Sequence, residues 1–298
     1  MPADFGNREI SGHLAVAVDP VVLMVRSASS RVSNHEARIS HPSRRGQKAA
    51  AQAITAKPLC RDEEGTISCA MTSSDSDRPP VLAHQRFVDD RKSFADLNLA
   101  QRFRRIHDTN MWGAAASTSG LGSEMDATIV LRAELPRLFR KLGVTSLLDA
   151  PCGDAGWINK ADLGVRIAGV DIVPSLIESL RARAAAGEIK AEYHLADITR
   201  DCLPRCDAIL CRDALVHLSF ANIERAVANF KASGAVWLIA TTFPDWQTNG
   251  DCEDGDWRAL NFERAPFNWG PPVELLNENC TEAGGGWRDK SLGVWRLN

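Results

Sequence analysis

The sequence predicts an open α/β sheet of the doubly wound type, in which parallel strands alternate with helices. Between residues 145 and 241, short apolar runs alternate with segments of helical spacing, and this alternation is typical of parallel crossovers. The first apolar run ends at Asp149 and leads into a small-residue turn through Gly153 and Gly156. Two later runs also end near an aspartate. Parallel strands bring such ends to one rim of the sheet, where nucleotide-like ligands bind.

The composition agrees with a globular protein and argues against several other classes. Hydrophobic residues make up 44% of the 298 residues, which suffices for a buried core. The net charge of −3 gives no basic excess for binding nucleic acid through its phosphates. The apolar stretch 14–25 is interrupted by Asp19-Pro20 and is shorter than the ~20 residues of a membrane span. The sequence therefore gives no indication of a nucleic-acid partner, although it does not exclude one, and we expect no membrane association.

Eight cysteines are distributed over the chain, several of them within apolar runs. Scattered, buried cysteines are typical of reduced thiols in the cytoplasm, and we expect the protein there. Cys202, Cys206 and Cys211 form the closest group, but their spacing differs from the close pairs of zinc modules. We predict no metal site.

Residues 1–80 differ from the rest of the chain. Ser, Arg, Ala and His dominate this range, and no helical or strand period persists in it. We therefore predict a disordered N-terminal tail and a single domain over residues 81–298. Met71 offers an alternative, in which translation begins there and the preceding segment is not part of the native protein.

Two helical patterns precede the first strand. One covers residues 94–105, and the second covers residues 125–142 with Gly143 as its stop. The segment between them, residues 106–124, contains a run of Ser and Gly that is too irregular for a helix or strand. We interpret it as a lid that closes over a ligand.

The remaining elements follow in alternation. Predicted strands cover residues 145–149, 166–171, 193–195, 208–211 and 235–241, and predicted helices cover residues 174–186 and 220–233. Residues 242–270 are rich in Asp, Trp, Asn and Gly and form a predicted insertion after the fifth strand. Residues 273–279 and 292–297 are the last two predicted strands.

Three aspartates, Asp149, Asp171 and Asp197, follow successive strands. Asp171 comes 22 positions after Asp149, about the spacing at which an acid accepts hydrogen bonds from ribose hydroxyls. A single aspartate at a strand end is about as often a structural cap as a ligand-binding residue. Three in register beside a glycine turn favour a ligand site.

Several ordered motifs resemble the class I S-adenosylmethionine-dependent methyltransferases. They lie at residues 147–154 (Leu-Leu-Asp-Ala-Pro-Cys-Gly-Asp), 169–171, 195–198, 211–219, 255–261 and 289–295. A narrower bacterial and plant group shares the Asp-x-Pro-Cys-Gly-Asp turn, whereas most members of the superfamily have Gly where Pro151 stands. The resemblance covers about residues 106–297. It implies a Rossmann-like sheet of seven strands, mostly parallel with an antiparallel C-terminal strand, helices on both faces, and S-adenosylmethionine as cofactor.

The resemblance also assigns roles to the matching residues. Asp149 and the backbone around Cys152 and Gly153 would hold the methionine moiety, and Arg212 would lie near it. Asp171 would bind the ribose hydroxyls. The rest of the implied cofactor-binding set consists of Pro151 and Asp154 in the turn and, at the adenine, Ile172, Asp197 and Ile198.

Two residues after the fourth strand are candidates for a catalytic base. Transfer to a neutral hydroxyl or amine requires removal of a proton, and His217 titrates in the useful range, near ~6.5 when unperturbed. Asp213 is the second candidate. Each has a structural alternative, because His217 lies between apolar residues and Asp213 could simply orient the loop.

The acceptor side is predicted from two polar segments. Asn110, Trp112 and Ser119 lie in the predicted lid, and Trp257 and Arg258 lie in the insertion, where this superfamily builds its acceptor pocket. Such aromatic and polar side chains suit a sugar or another polar ring, although tryptophans in long loops also serve as packing anchors. The expected acceptor is a small molecule or glycan, methylated on a hydroxyl or amine. The oligomeric state does not follow from the sequence.

Two other functions compete with methyl transfer. A nicotinamide-dependent reductase would use a related sheet, but the first turn lacks the Gly-x-Gly-x-x-Gly pattern, and Asp154 would add a negative charge beside a pyrophosphate. A non-catalytic module that binds S-adenosylmethionine is the third hypothesis. Retention of all three strand-end acids argues for binding and says nothing about turnover.

Overall fold

The computed structural model describes residues 75–297. The predicted tail, residues 1–80, and the alternative start at Met71 lie outside the described residues, apart from residues 75–80. That short stretch contacts the domain. Asp75 accepts hydrogen bonds from the backbone N–H groups of Gln247 and Thr248, and Arg78 forms an ion pair with Asp289.

The described residues form one seven-stranded sheet with the predicted mixture of directions. Its strands are β1 (Ser146–Asp149), β2 (Arg166–Asp171), β3 (Glu192–Leu195), β4 (Ala208–Cys211), β5 (Trp237–Thr242), β6 (Glu274–Asn277) and β7 (Ser291–Arg296). They lie in the order β3-β2-β1-β4-β5-β7-β6. Neighbours among β1 to β5 are parallel, whereas β7 is antiparallel to both β5 and β6. The predicted fold class is therefore confirmed.

Helices connect and flank these strands. They are α1 (Leu82–Asp90), α2 (Leu99–Asp108), α3 (Ile129–Leu142), α4 (Pro174–Ala185), α5 (Phe220–Ala232) and the short α6 (Glu282–Gly285). Gly143 ends α3 with a φ of 69°, the left-handed conformation that a glycine stop provides.

The structure begins two predicted helices later than the sequence pattern, α2 at Leu99 and α3 at Ile129, and it adds two helices, α1 and the short α6. The pattern at residues 94–105 becomes a helix only from Leu99, because Asn98 and Gln101 form a reciprocal capping box there. The sequence reading placed no helix at α1, which buries only Ala83 and Phe87. One turn of apolar spacing is too short to reveal a helical period.

Alternate residues of the central strands pack on opposite faces of the sheet. Leu148 and Ile209 belong to a core cluster that includes Phe230 of α5. Leu147 and Leu210 belong to a second cluster, which contains residues of α3 and α4. Helices therefore cover both faces, as in other parallel sheets.

The strand order places a crevice at the carboxyl rim. β2 and β3 lie on one side of β1, and β4 and β5 lie on the other, so the winding direction reverses between β1 and β4. Open α/β sheets bind ligands at this point. Within residues 75–297, no helix combines the length and apolar character required to span a bilayer.

Candidate functional site

A cavity of about 980 Å³, including its mouth, opens at the carboxyl rim of β1, β2 and β4. We call it the first cavity. Nine of the ten residues predicted to bind the cofactor line it. They are Asp149, Pro151, Cys152, Gly153, Asp171, Ile172, Asp197, Ile198 and Arg212. The parallel direction of the strands is what brings these separate segments together.

Asp171 joins the end of β2 to the turn after β1. Its carboxylate accepts hydrogen bonds from the backbone N–H groups of Gly153 at 3.0 Å and Val173 at 2.9 Å. Burial raises the pKa of Asp171, and these hydrogen bonds oppose that rise. The turn has little spare room, because a Cβ on Gly153 would lie 2.1 Å from Ser119 Oγ. Glycine is also suited to the φ of 52° at this position.

Asp149 ends β1 inside the same cavity. Among the described residues, no hydrogen bond is made to its carboxylate. Burial and the nearby charge of Asp171 raise the pKa of Asp149 well above its ordinary value, and the Arg212 guanidinium only partly opposes them. The inner end of the first cavity is therefore suited to a ligand group that carries positive charge.

Asp197 follows β3 and has a structural role of its own. Its carboxylate accepts hydrogen bonds from the backbone N–H of Thr199 at 2.9 Å and from the hydroxyl of the same residue at 2.6 Å. Arg200 lies 3.3 Å from the other oxygen. Asp197 is thus a turn cap that also lines the cavity, beside Ile198.

Asp154 is the predicted cofactor residue that does not line the first cavity. Its carboxylate accepts hydrogen bonds from the Ser117 hydroxyl at 2.7 Å and the Thr118 backbone N–H at 3.0 Å. Its own backbone N–H donates to Ser119 Oγ at 2.8 Å. The Pro-Cys-Gly-Asp turn is therefore tied to the predicted lid, and Asp154 makes that connection.

Arg212 is held by an acid that sequence reasoning missed. Its guanidinium donates to both carboxylate oxygens of Glu278, at 3.2 and 2.6 Å. Lys290 Nζ donates to Asp213 at 2.6 Å and lies 3.8 Å from Glu278. Lys290 stood inside a motif of the resemblance without an assigned role, and Glu278 carried no recognisable signal. Strands β6 and β7 bring both to the rim.

Asp213 is a poor base in this setting. Burial would raise its pKa, but the Lys290 ammonium and the Arg212 guanidinium outweigh that effect and hold the pKa of Asp213 at about 2. Its charge is therefore stabilised as part of an ion-pair network. The geometry agrees with the structural alternative considered for this residue.

His217 is buried, and one ring nitrogen has a fixed partner. Its Nδ1 lies 2.7 Å from the backbone oxygen of Asp256. A carbonyl oxygen only accepts hydrogen bonds, so Nδ1 carries the proton and Nε2 is left with a lone pair. Trp112 of the predicted lid stacks on the imidazole at a centroid distance of 4.5 Å. Burial is the main cause that lowers the pKa of His217 to about 4, so the ring is neutral at pH 7.

A second cavity, of about 600 Å³ including its mouth, lies beside the first. Both cavities are lined by Trp112, Ser119, Asp213 and His217, which therefore stand between them. Trp257, predicted for the acceptor side, lines the second cavity only. The remaining lining consists largely of apolar side chains, together with Glu282 and Lys290.

Two residues predicted for the acceptor side line neither cavity. Arg258 donates hydrogen bonds to the backbone oxygens of Leu215 and Leu218. The Asn110 side chain donates to the backbone oxygen of Ala114 at 3.0 Å. Both side chains are thus occupied in holding loops, a role that sequence spacing does not distinguish from ligand binding.

Comparisons with known proteins agree with this architecture. Residues 147–233 match the family model described as a methyltransferase domain. No curated protein matches the chain. The narrower group with the Asp-x-Pro-Cys-Gly-Asp turn remains a prediction.

Solved structures with a related fold are distant in sequence. The N-methyltransferase NodS from Bradyrhizobium japonicum WM9, in complex with S-adenosyl-L-homocysteine, is 15% identical over 65% of this chain and 98% of that one, with a TM-score of 0.46. The PH0226 protein from Pyrococcus horikoshii OT3 is 20% identical over 40% of this chain, with a TM-score of 0.33, and 59% of its length is covered. Since both TM-scores are below 0.5, the assignment depends on the family match and on the strand order. Residues 147–233 are thus similar to a methyltransferase domain.

Proposed function

We propose that this protein binds S-adenosylmethionine in the first cavity and transfers its methyl group to a hydroxyl or amine of a small molecule or sugar. The observation that carries the proposal is the convergence of Asp149, Asp171 and Asp197 on one cavity beside the Gly153 turn. The methyltransferase match over residues 147–233 supports the same reaction class.

The lining of the first cavity fits the chemistry of this cofactor. S-adenosylmethionine supplies a methyl group already activated on a positively charged sulfur. The raised pKa of Asp149 reflects a buried negative charge that the cationic methionine end would compensate. Asp171 is placed to accept hydrogen bonds from ribose hydroxyls, with Asp197, Ile172 and Ile198 around the adenine.

The four residues between the cavities set the conditions for transfer. Bound S-adenosylmethionine would supply the methyl group to the acceptor atom, and sulfur would keep the electron pair of the carbon–sulfur bond that breaks. An acceptor hydroxyl then loses its proton. His217 Nε2 holds the free lone pair and is the proposed base, whereas the Lys290 ion pair of Asp213 disfavours that residue. Alignment and exclusion of water supply the rest of the catalysis.

The competing hypotheses make different predictions for ligand binding. Because Asp154 binds the predicted lid and does not line the first cavity, only the missing Gly-x-Gly-x-x-Gly pattern still disfavours a nicotinamide cofactor. A non-catalytic module would bind S-adenosylmethionine without turnover. Both are separable by measurement.

Calorimetric titration with S-adenosylmethionine and with NADH tests the proposal. We expect binding of the first ligand only, and a loss of about tenfold or more in affinity on substitution D171A, since two hydrogen-bond sites and a charge disappear. Asp162→Asn is the matched control, because Asp162 is exposed and lines a depression at the opposite end of the strands. Absence of S-adenosylmethionine binding, or unchanged affinity in D171A, would contradict the proposal.

A further inference from the structure

We infer that the second cavity binds a small planar-ring acceptor that carries a protonated amine. The inference builds on the proposed function, because it identifies the second cavity as the acceptor site of the same reaction. It depends on three properties of the described residues: aromatic walls, an excess of negative charge, and closure by the segment before α1.

The walls of the second cavity are largely aromatic. Trp257, Trp287 and Phe243 pack edge to face. The centroids of the two indoles are 4.9 Å apart, and the Phe243 ring centroid lies 5.9 Å from that of Trp257 and 5.5 Å from that of Trp287. Trp112 forms the side toward the first cavity. Such surfaces bind planar rings by stacking and by edge contacts, and their faces attract cations.

The cluster already accepts a cation from the chain itself. The Arg78 guanidinium lies 5.0 Å from the centroid of the Trp287 ring and 5.6 Å from that of Trp246. Arg78 is also paired with Asp289, so its charge is balanced outside the cavity. Trp287 of the cavity lining and Trp246 outside it thus already hold one cation of the chain.

The polar wall of the second cavity carries more negative than positive charge. Its charged lining residues are Asp213, Glu282 and Lys290, two acids against one cation, while Arg212 and Glu278 lie outside the lining and pair with each other. Arg212 is bound to Glu278 at 2.6 Å and Lys290 to Asp213 at 2.6 Å. Glu282 lies 3.8 Å from Lys290, and 29% of its side chain is exposed. The excess charge therefore lies at Glu282, where it favours a cationic ligand group and disfavours a carboxylate.

The segment before α1 closes the cavity on its far side. Val81, Leu82 and Ala83 line it, and the Trp287 indole N–H donates to the backbone oxygen of Pro79 at 3.2 Å. A Cβ on Gly286 would lie 2.4 Å from the Pro79 ring, so this segment fits closely against the turn before β7. A cavity bounded by this segment and by the aromatic walls suits one small ring better than a polysaccharide chain.

The second cavity lies directly beside the first. Trp112, Ser119, Asp213 and His217 stand between it and the first cavity. A ring seated against Trp257 would direct a nucleophile toward this boundary, where Nε2 of His217 is free to accept a proton. The amine that Glu282 recognises and the atom that receives the methyl group need not be the same.

Three ligands that share one phenol ring test the inference. Tyramine is cationic, 4-ethylphenol is neutral and 4-hydroxyphenylacetate is anionic at pH 7.5. Their affinities are measured by saturation-transfer NMR or calorimetry on the full chain with S-adenosylhomocysteine present. We expect tyramine to bind about tenfold more tightly than 4-ethylphenol, and the anion to bind weakest, because Glu282 attracts the first and repels the last. Equal or tighter binding of the anion would overturn the inference, as would binding of methyl glucoside with none of the phenols.

Variants then locate the preference. Glu282→Gln should reduce the advantage of tyramine to about threefold or less, whereas Glu274→Gln, on the same C-terminal hairpin but outside the cavity, should leave it unchanged. Trp257→Leu should weaken all three phenols together. An unaltered charge preference in Glu282→Gln would contradict the inference. Binding of S-adenosylhomocysteine is measured on every sample. If the wild-type protein does not bind it, the proposed function is refuted. If the wild-type protein binds it but binds none of the phenols, only this inference is refuted.

Discussion

Two groups of buried acids lie at the carboxyl rim, and they differ in what balances their charge. In the first cavity, Asp149 and Asp171 are each 5% exposed, and burial raises the pKa of both. Near the hairpin of β6 and β7, Glu278 is 4% exposed, but Arg212 and Lys290 lie 2.6 and 3.8 Å from it. Acids that are equally buried thus differ: cations of the chain balance the charge of Glu278, whereas the charges of Asp149 and Asp171 are left largely unbalanced.

The contrast separates structure from ligand binding. A buried acid with its own cation is part of the fold, since removal of either partner leaves an uncompensated charge. A buried acid without a paired cation lowers the stability of the ligand-free protein, and a cationic ligand offsets that loss when it binds. By this criterion we predict that Asp149 belongs to a binding site and that Asp213 and Glu278 belong to the framework that supports it.

Loss of the Lys290 charge should have the largest effect. Lys290→Met leaves the buried Glu278 and the half-buried Asp213 with one cation fewer, so we expect the free energy of unfolding at pH 7 to fall by about 3–5 kcal/mol. Urea unfolding measures it. Lys141→Met is the matched control, because Lys141 pairs with Glu274 at the surface, and such pairs contribute only about 0–1 kcal/mol. Equal losses in the two variants would remove the distinction between the two groups of acids.

His217 should produce the next largest effect, through the pH dependence of stability. Its pKa is about 4 in the folded chain, mainly because of burial, and ~6.5 when unfolded. Between these values the unfolded chain binds more protons, so stability is lost as the pH falls from 6.5 toward 4. The loss attributable to this residue is about 3 kcal/mol.

Unfolding curves at several pH values check this expectation for His217. The variant His217→Leu should lack that part of the acid sensitivity. His194→Gln is the control, because 45% of the His194 side chain is exposed, and its substitution should leave the wild-type pH dependence in place. A His217 imidazole that titrates above pH 6 in the folded protein, by NMR, would disprove the burial argument.

The smallest expected effect has the opposite sign. Asp149→Asn removes a buried charge that no cation fully balances, so we expect the ligand-free protein to be more stable at pH 7 by ~0.5–2 kcal/mol and to bind S-adenosylmethionine more weakly. The pKa of Asp149 is raised in the folded state, so the cost to stability grows as the pH rises above the unfolded value of ~3.9 and is complete above the raised pKa. Below its unfolded value the acid is neutral in both states, and the gain should vanish. A destabilised variant at pH 7 would place Asp149 with the framework acids.

Sequence reasoning was most successful where local pattern determines structure. The strand from Arg166 to Asp171 has the bounds that the pattern gave, and Gly143 ends its helix as predicted. Burial on both faces gives central strands a continuous apolar run, and the turn after β1 is marked by its small residues. The predicted lid motion and the acceptor stay predictions, but nine of the ten cofactor candidates do meet in one cavity.

The sequence alone determined the sheet, the direction of its strands and the rim at which Asp149, Asp171 and Asp197 meet, because residues that follow parallel strands are brought together by the topology itself. Only the tertiary structure decided which oppositely charged side chain lies beside each buried charge. Glu278 is 66 positions from Arg212 and reaches it through the antiparallel hairpin. It also decided that Asp154 holds the predicted lid and that Arg258 holds a loop. Such roles depend on which distant segments come into contact, and no local period or spacing encodes those contacts.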